Sequence, residues 1–96
     1  MELRGVHTAL VTPFSDGAID LDSFAALCTR QIDAGINGLV PCGTTGEAPT
    51  LTSEEWAELV STAVRVADGR VPVTAGCGTN STATTVANIV RARALG

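Results

Sequence analysis

Gly38-Leu39-Val40-Pro41-Cys42-Gly43-Thr44-Thr45-Gly46-Glu47 is a short apolar run that opens into a loop of small and hydroxyl-bearing residues. An apolar run this short, bounded by glycine and proline, predicts a buried strand ending at the loop. Downstream, Thr52-Ser53-Glu54-Glu55 has capping-box spacing. Thr52 can accept from one orphan amide of a new helix, and Glu55 can reach back for another. Trp56, Leu59, Val60, Ala63, Val64 and Ala67 then recur at three and four residues, the apolar stripe of a helix. Asp68-Gly69 closes it. The unit is strand, loop, helix.

The same unit recurs on both sides. Upstream, Val6 to Val11 predicts a strand halted at Thr12-Pro13, because proline has no ladder donor. Asp16-Gly17 marks a turn. Leu21, Phe24, Ala25, Cys28 and Ile32 form one helical face, ended by Ala34-Gly35 with glycine as the cap. Downstream, Val71 to Ala75 predicts a third strand broken by Gly76 and Gly78. Asn80, Ser81 and Thr82 are alternative N-caps of a last helix carried by Val86, Ile89, Val90 and Leu95.

Strands alternating with helices imply a parallel sheet with right-handed crossovers. The runs are apolar on both faces, as fully covered parallel strands are. Each unit takes about 33 residues, so eight would need about 260, near the ~250 of a (β/α)8 barrel. The expected fold class is therefore α/β: the first three βα units of a TIM barrel, with residues 1–96 as one partial domain. The pattern also admits a doubly wound sheet, although no GxGxxG follows the first strand and no GxxxxGK[ST] occurs. The series breaks off at Ala94-Leu95-Gly96, where the earlier Ala34-Gly35 led into a new strand, and reads as unfinished.

Composition narrows the function classes. Of 96 residues, 45% are hydrophobic and 17% charged, ordinary for a globular chain. Phe14, Phe24 and Trp56 are the only aromatics, so Val, Leu, Ile and Ala must build the core. The net charge is -4, and the six cations are scattered arginines, which argues against a nucleic-acid partner. No apolar run approaches the ~20 residues of a membrane span. Met1-Glu2-Leu3-Arg4-Gly5 does not read as a signal peptide, so a cytoplasmic location is expected. Cys28, Cys42 and Cys77 are odd in number and lack CxxC spacing, which predicts reduced core or loop residues. Cys42 and Cys77 each follow a predicted strand and are expected to be neighbours. Their spacing with His7 fits no compact zinc site.

In parallel α/β architectures, function sits at the carboxyl ends of the strands. Here those ends are Thr12-Pro13-Phe14, Cys42 to Glu47 and Gly76-Cys77-Gly78-Thr79-Asn80. Glycines flanking Thr44-Thr45 would shape a turn whose inward amides suit a carboxylate or phosphate oxygen. A tight connection needing glycine for backbone reasons explains the same residues, and both readings stand at this level.

The run Gly38 to Ala48, with Glu55 downstream, resembles the N-terminal signature of the dihydrodipicolinate synthase/N-acetylneuraminate lyase family. Gly5 to Phe14 is similar to that family's first strand and Thr-Pro loop, and Asp68 to Val73 to the entry of its third strand. Gly76 to Asn80 is similar to the loop that follows. The likeness covers essentially the whole chain but about three of eight barrel units. Thr44-Thr45 is closer to the synthases than to sialic acid lyases, which more often carry Ser-Thr.

The resemblance implies a Schiff-base aldolase that condenses pyruvate with aspartate semialdehyde in lysine and diaminopimelate biosynthesis. It implies Thr44 as the catalytic hydroxyl of a proton relay with tyrosines, and Thr45 as the residue binding the pyruvate carboxylate. Glu47 is assigned to loop support as a hydrogen-bonded carboxylate. No metal or organic cofactor is implied, since a lysine imine is the electron sink, and the family implies a homotetramer. The chain departs from the pattern in having neither lysine nor tyrosine. An imine needs a deprotonated amine in the site, so the 96 residues alone are expected to be inactive. Other pyruvate-dependent aldolases of the family, or a non-catalytic anion-binding fragment, are the alternatives.

A regulatory lysine site in some members involves residues near the loops after strands two and three. Asn80 fits that pattern. Ser53 and Thr84 stand where strongly inhibited members carry a histidine and a glutamate, and Trp56 where some carry histidine. Losing a carboxylate removes a partner for an ammonium group, so weak lysine feedback is expected.

Overall fold

The computed structural model describes residues 5–79 and 81–96. Strand β1, His7–Ala9, pairs in parallel with a strand at Gly38–Val40 in the register His7 to Gly38, Thr8 to Leu39 and Ala9 to Val40. Between them lie a small hairpin, β2 Phe14–Ser15 and β3 Ala18–Ile19, and helix α1, Leu21–Asp33. The Gly38–Val40 strand is β4. After it come a 3₁₀ turn at Ala48–Thr50 and helix α2, Ser53–Ala67. The third apolar run reaches the sheet through a parallel bridge of Val73 to Leu39, and helix α3, Thr82–Leu95, follows.

Two strands and the third run thus lie side by side in chain order, each followed by a helix: the first three βα units of a barrel. The third run is less regular than a strand over Val71 to Ala75. Its ladder bonds run from Leu39 N to the Pro72 carbonyl (3.0 Å), Thr74 N to the Leu39 carbonyl (2.8 Å) and Gly76 N to the Pro41 carbonyl (3.0 Å). Proline at position 72 and a neighbour on one side only leave it with half a ladder.

The helix boundaries follow from local chemistry. Asp20 caps α1, accepting from the Ser23 amide (3.0 Å) and the Ser23 hydroxyl (2.8 Å). The Ser23 amide and hydroxyl hold the Asp20 carboxyl below its ordinary pKa. The α2 capping box forms as the sequence predicts: Glu55 N donates to Thr52 Oγ1 (3.1 Å) and Thr52 N to Glu55 Oε1 (2.8 Å). Asp68 ends α2 in the left-handed region at φ 47°. Arg70 reinforces that end, donating from Nη2 to the Val66 carbonyl (2.7 Å) and from Nε to that of Ala67 (3.2 Å).

The core lies between the sheet and the pair α1–α2. Leu10, Phe24, Cys28, Leu39, Cys42, Trp56, Leu59, Val60, Ala63 and Ala67 are buried together. Alternation along the strands puts Leu10 and Leu39 toward the helices and leaves Ala9, Val11 and Thr74 exposed on the other face. The expectation of strands covered on both faces is corrected here. Three strands do not curl far enough to cover their own inner face.

Helix α3 brings a second correction. Val86, Ile89 and Val90, expected in its core stripe, are 55%, 54% and 65% exposed, and no residue of α3 is buried. Its partly covered positions are instead Thr85, Asn88, Arg91, Ala92 and Leu95, on the opposite side. The expected alternative cap Asn80 lies outside the described residues; Ser81 caps α3, accepting from Thr84 N at 3.3 Å.

The three thiols are free. Burial pushes Cys28 up to about 11. Burial, with the neighbouring Cys77 second, pushes Cys42 up to about 12, as expected of adjacent thiols. Both folded values lie above the ordinary 9.0, so the folded state holds these protons more tightly than the unfolded chain. Their contribution to stability is complete below about pH 9 and is lost as pH rises toward 11 and 12. Thermal unfolding followed from pH 8 to 11 is expected to show a falling midpoint, with a shallower fall in Cys28→Ala.

Candidate active site

The loop after β4 is built from the backbone outward. Gly46 N donates to the Gly43 carbonyl (3.0 Å) and Glu47 N to the Thr44 carbonyl (3.1 Å), closing two overlapping turns. Cys42 and Glu47 bracket the loop in left-handed conformations, at φ 58° and 60°. The amides of Gly46 and Glu47 are therefore used inside the turn. Those of Thr44 and Thr45 make no hydrogen bond among the described residues, and both side chains are exposed.

Two neighbouring strand ends fix this loop. From the first, buried Thr12 donates its hydroxyl to the Gly46 carbonyl at 2.6 Å. Gly46 is packed so closely that a Cβ there would sit 2.9 Å from the Leu10 carbonyl oxygen and 3.2 Å from Thr12 Oγ1. From the third, Gly76 lies against the Cys42 carbonyl and Gly43 with no room for a side chain. Trp56, 6% exposed, donates from Nε1 to the Gly76 carbonyl at 2.8 Å and ties α2 to that end. All three predicted loops thus converge, with Thr44 and Thr45 on the rim.

Glu47 differs from expectation. Its side chain is exposed, and loop support comes from its backbone carbonyl, which accepts from Thr50 N (2.9 Å) and Thr50 Oγ1 (2.8 Å). In the sequence Thr12 marks only the end of a strand; its role as a clamp depends on a partner 34 residues away. A Thr12→Val change keeps the shape and removes the donor, leaving the Gly46 carbonyl without that bond. It is expected to cost about 1–3 kcal/mol, read as a lower urea midpoint at unchanged slope.

A cavity of about 460 Å³ opens beside the loop, between the start of α2 and residues 76–79. Ser53, Trp56, Thr79, Thr84 and Asn88 are among its lining residues. Arg91 crosses from α3 to Ser53, donating from Nη1 to its hydroxyl (2.5 Å) and carbonyl (3.1 Å). Among the described residues no three His, Cys, Asp or Glu side chains gather to hold a metal ion. None of the described helices is long and apolar enough to cross a membrane.

Residues 2–96 match the Dihydrodipicolinate synthetase family. The chain belongs to that family. Over 82 residues it is 57% identical to the 4-hydroxy-tetrahydrodipicolinate synthase of Maridesulfovibrio salexigens, covering 85% of this chain and 28% of that protein. Over 93 residues it is 53% identical to that of Phenylobacterium zucineum, covering 97% and 32%. The chloride-inhibited dihydrodipicolinate synthase of Acinetobacter baumannii, solved with pyruvate, superposes with a TM-score of 0.95 at 40% identity, over 99% of this chain and 33% of that one. The chain therefore spans about a third of the length of the curated relatives it matches. These residues form the first three βα units of the TIM-barrel fold that the family's solved structures share.

Proposed function

We propose that this chain supplies the substrate-binding N-terminal third of a dihydrodipicolinate synthase, condensing pyruvate with aspartate semialdehyde through a lysine Schiff base. The observation that carries the reading is the turn at residues 43–47. Its Thr44 and Thr45 amides and hydroxyls, without a hydrogen bond among the described residues, are held at the carboxyl end of β4. Thr45 offers its amide and hydroxyl to the pyruvate carboxylate, a preorganised pair of donors for an anion. Thr44 passes a proton between partners on either side of its hydroxyl.

The amine that forms the imine is not among these 96 residues, which contain no lysine. It comes from the rest of the barrel, and residues 1–96 are one part of a barrel domain. Alone they are inactive. The complete enzyme is a cytoplasmic homo-oligomer. The test is a single-chain chimera joining these residues to the remaining two thirds of the Phenylobacterium zucineum relative. After pyruvate and borohydride, intact mass should show one reduced pyruvate adduct on the chimera and none on the 96-residue chain. A chimera that folds but takes no adduct would refute the reading.

Ser53, Trp56 and Thr84 share the cavity beside the loop, and among the described residues no carboxylate lines it. A lysine ammonium there lacks its charged partner. Feedback by lysine on the chimera is expected to be weak, and half-inhibition at micromolar lysine would overturn this assignment.

A further inference from the structure

Cys42 and Cys77 sit at the ends of two neighbouring strands, Cys42 directly before the turn at residues 43–47 and Cys77 in the loop that packs on it. The bridge of Leu39 to Val73 and the bond from Gly76 N to the Pro41 carbonyl carry the parallel register forward. Cys42 therefore stands beside Gly76, one residue short of Cys77. A Cβ on Gly76 would overlap the Cys42 carbonyl, so the two segments run in close contact there. Adjacent strands lie about 4.8 Å apart and rise about 3.3 Å per residue, so a one-residue offset separates the two Cα atoms by roughly 6 Å. A disulfide spans Cα separations of ~4.4–6.8 Å.

Both side chains lie on the helix side of the sheet. The buried Cys42 thiol is 3.9 Å from the Trp56 carbonyl of α2. Cys77 is half-buried, packs against the same core and lines a groove of about 290 Å³ with Val60, Ile89 and Ala92. That groove gives a small oxidant a way to Cys77. The two thiols also sense each other electrostatically. Cys77, the less buried, loses its proton first, and its charge adds to the burial that raises Cys42. Cys28, on α1, is raised by burial with no contribution from another thiol.

We propose that Cys42 and Cys77 are a reversible redox pair, closed by hydrogen peroxide into a disulfide that staples the ends of the second and third strands beneath the turn. The Cys77 thiolate attacks a peroxide oxygen. An S–O bond forms, the O–O bond breaks, and the departing hydroxide takes up a proton as water. The Cys42 thiolate then attacks Cys77 Sγ. The S–S bond forms, the S–O bond breaks, and the second hydroxide leaves as water with the proton that Cys42 gave up. In sum the two thiols lose two electrons and two protons, and the peroxide becomes two waters. A dithiol reductant reopens the bridge. Because Cys42 directly precedes Gly43, the closed bridge holds the entry of the turn against the end of the third strand. The inference needs only the fold and stands apart from the catalytic reading.

The test treats the folded 96-residue chain with hydrogen peroxide, removes the excess with catalase and alkylates the remaining thiols in denaturant. Trypsin cuts after arginine, which places Cys28 on residues 5–30, Cys42 on 31–65 and Cys77 on 71–91. Mass spectrometry is expected to show 31–65 joined to 71–91, with Cys28 alkylated on its own peptide. Dithiothreitol before alkylation should separate the pair. Crosslinking should speed about tenfold from pH 7 to pH 8, as the thiolate fraction does below its pKa. The bridged chain should melt roughly 10 °C or more above the reduced one, because the bridge closes a long loop. Cys77→Ser, at a half-buried position, should fold and lose both the crosslink and the rise. Full alkylation of Cys42 and Cys77 after peroxide overturns the pair. So do oxygen adducts on Cys77 without a crosslink, Cys28 in the crosslink, or disulfide-linked dimers. A bridged chain that melts no higher than the reduced one overturns the staple.

Discussion

Thr44→Val, placed in the barrel-completing chimera, is expected to lower kcat about 100-fold or more, the usual size of a positioned proton-transfer group. The KM for pyruvate should stay nearly unchanged, because the relay acts in the transition state rather than in ground-state binding. Thr44→Ser keeps the hydroxyl and should recover most of the rate. Thr45→Val gives the complementary signature. Removing one hydrogen bond to a charged group costs about 1.5–3 kcal/mol, so KM for pyruvate should rise by roughly tenfold or more. Both side chains are exposed, so neither substitution removes a core contact. Steady-state kinetics on the three variants separates the roles. Normal turnover by Thr44→Val would remove Thr44 from the proposed mechanism.

Trp56→Ala is expected to cost the 96-residue chain about 3–5 kcal/mol, as deletions of buried aromatics do. A chain of this size has roughly 5–14 kcal/mol in all, so the variant should melt far below the parent. Two effects combine. The indole is buried against the core, and its Nε1 donates to the Gly76 carbonyl at 2.8 Å. Trp56→Phe separates them, since it keeps most of the apolar contact and loses the donor. It is expected to cost about 1 kcal/mol for the hydrogen bond, plus a smaller packing loss. Urea unfolding of both variants reads the difference. Equal losses in the two would mean that the hydrogen bond, and not the burial, dominates at this position.

Both predictions draw on features that differ in how far the sequence exposes them. The Thr52–Glu55 box and the Trp56-to-Ala67 stripe are local, set by side chains within one or two turns of each other, and they form as read. Asp16-Gly17 was legible as a turn. That it joins a hairpin, with φ of 52° and 81°, depends on Phe14–Ser15 finding Ala18–Ile19. The Asp20 cap of α1 has a local signal, an aspartate three residues before Ser23. The glycines around Thr44 and Thr45 mark them in the sequence. Thr12, the residue that anchors their turn, carries no such mark in its own neighbourhood.

The order of elements, the parallel βα alternation, the capping of α2 and the hydroxyl-rich loop after β4 are written in the amino-acid sequence, because each depends on residues a few positions apart. Tertiary structure alone decided which face of α3 meets the body of the protein. Val86, Ile89 and Val90 satisfy a core pattern by spacing, and periodicity does not reveal whether a covering element is present. It also decided that Thr12 and Trp56 hold the site together. Their partners, Gly46 and Gly76, are 34 and 20 residues away and offer backbone carbonyls, which every residue possesses and no sequence pattern distinguishes.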